Sequence, residues 1–102
     1  MTTKRLVAIY PDGTLTSKPI DKTPSLQELK DIVGGYLEHV PYFTRYVDEP
    51  CVAFCNEEGK LKDLPVNMIA SALWIHQFPQ VRDFLVGGVA IVVGPRDFLR
   101  TL

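Results

Sequence analysis

The sequence predicts an α+β domain: a small mixed or antiparallel sheet of about five strands, with one main helix and one short helix. Three observations carry this expectation. Leu6-Val7-Ala8-Ile9-Tyr10 is rich in β-formers and stops at Pro11-Asp12-Gly13, a turn in which Pro sets φ, Asp bonds back to the backbone and Gly accepts positive φ. Leu26, Leu29, Ile32 and Val33 recur at helical spacing, giving one apolar stripe. Val89-Ala90-Ile91-Val92-Val93 is an unbroken apolar run ended by Gly94-Pro95, the pattern of a buried strand.

The elements follow in order. After the first turn, Thr14 to Ile20 returns as a more polar strand, placed at a sheet edge because an edge tolerates Pro19. Thr23-Pro24 reads as a helix start, with Thr23 as N-cap and Pro24 at the first helical position. Ser25 with Glu28 offers an alternative capping box. Gly34-Gly35 ends that helix. Tyr36 to Val40 is extended, and Tyr42 to Asp48 is either a strand continuation or a loop. Cys51 to Cys55 is a strand closed by Asn56-Glu57-Glu58-Gly59. Asn67 then precedes a short helix from Met68 to Trp74, with Ile69, Leu73 and Ala72 expected inward. Gln80 to Val86 fits neither period. Helices on one face of the sheet complete the expected architecture.

Composition limits the function. With 102 residues the chain fits one domain, and a domain this small has little volume for a deep private cavity. Hydrophobic residues at 46% and charged residues at 23% are ordinary globular values and argue against disorder. Eleven Lys and Arg against twelve Asp and Glu give a formal charge of −1, without the basic excess of a duplex-binding surface. Neither the N-terminal stretch nor Val89 to Val93 is long enough for a signal or a membrane span, so a cytoplasmic location is expected.

Cys51 and Cys55 are the chain's two cysteines. On a strand they share a face roughly 13 Å apart, at ~3.3 Å per residue, too far for a disulfide. Buried reduced thiols are therefore expected, and neither a metal site nor a cofactor is implied. His39 and His76 stand outside any His-pair or nucleophile motif, so catalysis is not the favoured reading. An enzyme acting on a nucleotide is the third reading, resting on two Cys, two His and many carboxylates, with a Cys–His pair assembled by the fold as one form of its centre.

Several segments in order carry a resemblance: Val33-Gly34-Gly35-Tyr36-Leu37-Glu38-His39-Val40, then Cys55-Asn56-Glu57-Glu58-Gly59-Lys60, then Leu64-Pro65-Val66-Asn67, then Val86-Gly87-Gly88-Val89. Together they resemble a small phage- and plasmid-borne family known as a domain of unknown function. The resemblance implies a mobile-genetic-element setting and supplies no activity.

The candidate ligand residues are Tyr36, Arg45, Asn56, Glu57, Lys60, Asn67, Trp74 and Arg82. Each has a structural alternative. The Asn56–Lys60 segment reads first as a solvated turn with Gly59 at positive φ, Asn67 first as a helix N-cap, and two or three of the aromatics as core. Taken as a site, the aromatics would stack a base while the arginines take phosphate. The expected function is sequestration of a small nucleotide immune signal by a non-enzymatic, anti-defence protein. Its pocket would lie between the subunits of a homo-oligomer. The alternative is a protein–protein modulator presenting an aromatic patch at Tyr42 to Tyr46.

Overall fold

The computed structural model describes residues 3–102. Its elements are β1 (Arg5–Ile9), β2 (Leu15–Pro19), α1 (Leu26–Val33), β3 (Leu37–His39), β4 (Arg45–Tyr46), β5 (Glu49–Asn56), α2 (Met68–Gln77), β6 (Val89–Val93) and α3 (Arg96–Leu99). The strands lie in the order β2-β1-β6-β5-β3, with β4 paired to the start of β5. Every pairing is antiparallel. The chain is thus α+β, as the sequence predicts. No helix among the described residues is long and apolar enough to cross a membrane.

The first hairpin forms where Pro-Asp-Gly requires it. Asp12 Oδ1 accepts from the Thr14 amide at 2.9 Å, and Gly13 sits at φ 92°. The polar second strand is exposed at every position and occupies a sheet edge.

Of the two capping options, the Ser25 box is the one adopted. Ser25 Oγ accepts from the Glu28 amide at 3.1 Å, and Glu28 Oε1 accepts from the Ser25 amide at 3.1 Å. Thr23 is therefore not the N-cap; its hydroxyl bonds to Thr101 instead. The reciprocal box satisfies two orphan donors where a lone threonine satisfies one. Leu29 and Val33 are buried, while Leu26, at the first helical position, stays exposed.

The helices do not share one face, and this corrects the expected arrangement. Val7, Ile9, Ala53, Cys55, Ile91 and Val93 point to one side, where they pack with Ala70 and Trp74 of α2 and with Phe43 and Leu85. Leu6, Ala90 and Val92 point to the other, against Leu29 and Val33 of α1 and beside Phe98 and Leu99 of α3. A sheet covered on both sides needs a central strand that is apolar throughout, and β6 is buried at all five positions.

Within α2 the buried residues are Ala70, Ser71 and Trp74, whereas Ile69 and Ala72, expected inward, are exposed. The ambiguous Tyr42–Asp48 stretch is mostly loop. It contains the two-residue β4 and then Val47 and Asp48, both at positive φ, as the tight turn into β5.

The two Gly-Gly pairs use the same local device. Gly34 (φ 81°) and Gly87 (φ 69°) take left-handed backbone. The following glycines permit close approach. A Cβ on Gly35 would lie 2.8 Å from Asn56 Nδ2, and one on Gly88 would run into the Ile32 carbonyl.

Candidate functional site

A cleft opens where the ends of β3 and β5 meet α2 and the segment from Asp83 to Val86. Its volume is about 430 Å³, within the range of small-ligand sites. Val40, Cys55, Trp74, Leu85 and Val86 supply buried apolar surface, and Glu38, His39, Glu57, Lys60, Asp83 and Phe84 form an exposed polar and aromatic rim.

The walls are fixed by bonds that use up several polar groups. Trp74 Nε1 donates to the Pro41 carbonyl at 2.7 Å, which anchors α2 against the end of β3. Asn56 is buried; its Nδ2 donates to the Val33 carbonyl at 3.2 Å and its Oδ1 accepts from the Glu58 amide at 2.8 Å. That second bond bends the chain away from β5. Gly59 does not take the positive φ expected of it; Asp63 does, at 54°. Glycine is needed at 59 for a different reason: a Cβ there would lie 2.7 Å from a Val86 methyl carbon.

Lys60 and Asp83 form an ion pair across the rim. The hydrogen bond from Lys60 holds the Asp83 carboxyl below its ordinary range. The Lys60 ammonium also sits 4.8 Å from the centre of the Phe84 ring, a cation–π contact. Cys55 Sγ lies 3.7 Å from Glu38 Oε1. Burial, and then the negative charge of Glu38, push the Cys55 thiol up to about 12. It is held as a neutral thiol, the unreactive form. No hydrogen bond joins it to His39 among the described residues.

The rim carries three carboxylates against one lysine, which is itself paired. This electrostatic character favours ligands that present N–H groups and disfavours phosphate within the cleft.

Four of the eight sequence-predicted residues line this one cleft: Asn56, Glu57, Lys60 and Trp74. The other four lie elsewhere. Asn67 is fully buried as the N-cap of α2, its carboxamide consumed by the fold. Tyr36 is exposed beside Gly34 and Gly35, with the Lys30 ammonium 4.9 Å from its ring centre. Arg45 lines a separate hollow near α3. Arg82 is exposed on the loop before Asp83.

Of the remaining aromatics, Phe43 is core and Tyr46 packs against it, while exposed Tyr42 stacks on Phe78 at 4.3 Å. Sequence reasoning missed Glu38, Asp83 and Phe84 and set His39 aside. Only Glu38-His39, inside a segment that carries the resemblance, offered a signal.

A family model described as a domain of unknown function (DUF3846) matches residues 4–98. The chain belongs to the DUF3846 family. No curated protein and no solved structure matches it. The DUF3846 match runs from β1 into α3, so both walls of the cleft lie within the family domain. Among the described residues of this DUF3846 chain, no group of three or more His, Cys, Asp and Glu side chains is arranged to hold a metal ion.

Proposed function

We propose that the protein is a non-enzymatic binding module that captures a small nucleotide, holding its base in the cleft and leaving its phosphates outside. One observation carries this reading: Asn56, Glu57 and Lys60 from the turn and Trp74 from α2 meet at a single cleft of about 430 Å³. The rim carboxylates of Glu38 and Glu57 suit the N–H edge of a base. The half-exposed Phe84 ring offers a stacking face, a contact that contributes about 1–3 kcal/mol per base. The resemblance implies a mobile-element setting, and in that setting the proposed role is anti-defence, the withdrawal of a host immune signal.

Withdrawal of a scarce signal requires nanomolar affinity, about −12 kcal/mol, and hence near-complete enclosure. One subunit's cleft is open to solvent, so a second copy supplies the missing wall. The surface that supports this step is the outer face of α2. Met68, Ile69, Ala72 and Ile75 leave it apolar, uncharged and exposed. A helix that is apolar all round is ordinarily covered on every side. An uncharged stripe is also self-complementary, as a two-fold interface requires, and α2 forms one wall of the cleft.

The test is to purify the protein from cells with an active nucleotide-based defence, release bound small molecules by heat and identify them by mass spectrometry. A stoichiometric nucleotide, intact on release and reduced at least tenfold in Glu57→Gln and Phe84→Ala, is the expected result. An altered product would point to catalysis, and no bound small molecule would defeat the reading.

A second reading is supported by Tyr42, which is 61% exposed and stacked on Phe78 beyond the end of α2. Exposed Tyr anchors are frequent at protein interfaces. A single stoichiometric protein retained from host lysate, with no small molecule, would favour a protein–protein modulator.

A further inference from the structure

A second concavity, of about 510 Å³, lies against α3 and is lined by Arg45, Arg96 and Arg100 together with Thr44, Cys51 and Leu99. Three of the chain's five arginines therefore converge on one hollow in a protein of formal charge −1, and no carboxylate contributes to its lining. The ion pairs among the described residues are Lys18–Glu28 and Lys60–Asp83, so none of the three guanidiniums is neutralised by an acid.

The hollow is built from two elements that the fold holds in place. Gln77 clamps the Arg45 backbone: its Oε1 accepts from the Thr44 and Arg45 amides, each at 3.0 Å, and its Nε2 donates to the Arg45 carbonyl at 3.2 Å, while the Arg45 guanidinium itself donates to the Asp48 carbonyl. Arg96 and Arg100 stand one helical turn apart, and the Arg100 amide donates to the Arg96 carbonyl at 3.1 Å. Residues at that spacing share a helix side. Like charges gathered in a concavity repel one another, and an anion bound among them adds an attraction to each that offsets this repulsion.

We propose that this hollow binds the phosphate groups of a soluble phosphorylated small molecule. A guanidinium presents a planar fork matched to phosphate oxygens. The forks of Arg96 and Arg100, with the Arg45 nitrogens not used by the Asp48 carbonyl, can engage a di- or triphosphate at several oxygens, whereas a lone phosphate needs fewer. Thr44 also lines the hollow. Duplex nucleic acid fits poorly, because it calls for a basic surface that extends along the backbone, and here the basic groups are confined to one concavity. The site is independent of the acid-rimmed cleft and does not rest on the ligand proposed there.

The experiment titrates the full chain with inorganic pyrophosphate by calorimetry, with anionic vesicles of phosphatidylserine and a short DNA duplex as parallel arms. Saturable pyrophosphate binding near one per chain is expected, weakened at least tenfold in Arg96→Gln/Arg100→Gln and in Arg45→Gln. Arg82→Gln, which alters an arginine outside the hollow, and Glu57→Gln, which alters the cleft, should bind pyrophosphate as the unaltered chain does. Should the double variant melt early, Arg100→Gln alone carries the comparison, since its side chain is exposed and past the last helical residue. No saturable pyrophosphate binding, equal binding by the Arg96 and Arg100 variants, or an equal loss in Arg82→Gln would overturn the assignment. So would binding to vesicles or duplex alone.

Discussion

Asn67 donates from Nδ2 to the carbonyl oxygen of Ile9 at 2.8 Å, across 58 residues of chain. The same nitrogen donates to the Gly87 carbonyl at 2.9 Å, and Oδ1 accepts from the Ala70 amide at 3.1 Å. One buried carboxamide thus joins the end of β1, the turn before β6 and the start of α2. Asn67→Ala removes an N-cap, about 1 kcal/mol, and strands two buried carbonyls at about 1 kcal/mol each. The expected loss is about 3 kcal/mol in urea unfolding. Asn67→Asp keeps the cap acceptor but sets a carboxylate against two carbonyls, and should be no better. A loss under about 1 kcal/mol for Asn67→Ala would show that the three-way junction is not structural.

The β4–β5 turn carries strain that can be relieved. Val47 and Asp48 both sit at positive φ, 49° and 62°. A β-branched residue rarely adopts that conformation, and two-residue hairpins of this type favour Asn-Gly. Val47→Asn/Asp48→Gly should stabilise the chain by about 1 kcal/mol. Val47 is 78% exposed, so no packing is lost with it. A thermal melt that falls instead would mean that the valine makes a contact the fold depends on.

The two thiols make stability depend on alkaline pH. Cys51 and Cys55 are free and buried, and burial pushes both up to about 12 from an ordinary value of 9.0. Between those values the folded chain keeps protons that the unfolded chain releases. Stability from this source is therefore complete below pH 9 and declines as pH rises toward 12. Two thiols together set a slope of at most about 2.7 kcal/mol per pH unit. Cys51→Ala/Cys55→Ala should unfold with a shallower pH dependence above 9, whatever its stability at neutral pH. Native thiols should also react with a disulfide reagent at pH 8 only on unfolding. Rapid labelling of the native chain would contradict the burial.

How much was legible depended on whether a residue's role was local. The Pro-Asp-Gly turn, the Ser25 box, the Gly34 cap and the Asn67 cap are set by neighbours in sequence, and each is readable there. The side of α2 that faces inward was not, because Met-Ile-Ala-Ser-Ala-Leu-Trp-Ile is apolar on every side and offers no stripe. The placement of helices on both faces was signalled by the unbroken run at β6, but the expected architecture did not use it. In the cleft, Asn56, Glu57 and Lys60 came from one polar turn. Asp83 and Phe84 come from a stretch without periodicity, and only tertiary contact brings them opposite Lys60. Glycine at 59 was expected for its backbone freedom, whereas the fold requires it for the absence of a side chain beside Val86.

The outer face of α2 is where the proposed closure of the cleft can be tested. Met68 is 76% exposed, and Ile69 and Ile75 are 40% and 42% exposed. With Val66 beside them they form an apolar surface without a charge. A stable pairing buries about 800 Å² on each partner, so the stripe would be the centre of such an interface with polar surroundings as its rim. Met68→Glu/Ile75→Glu would place like charges opposite one another across the two-fold axis of the proposed dimer. It should raise the dimer dissociation constant at least thirtyfold, about 2 kcal/mol, while shifting monomer stability by no more than about 0.5 kcal/mol at these exposed positions. Sedimentation across a concentration series reads the first quantity and a thermal melt reads the second. If the unaltered chain sediments as a monomer at every concentration, the second wall does not exist, and tight nucleotide capture loses its physical basis.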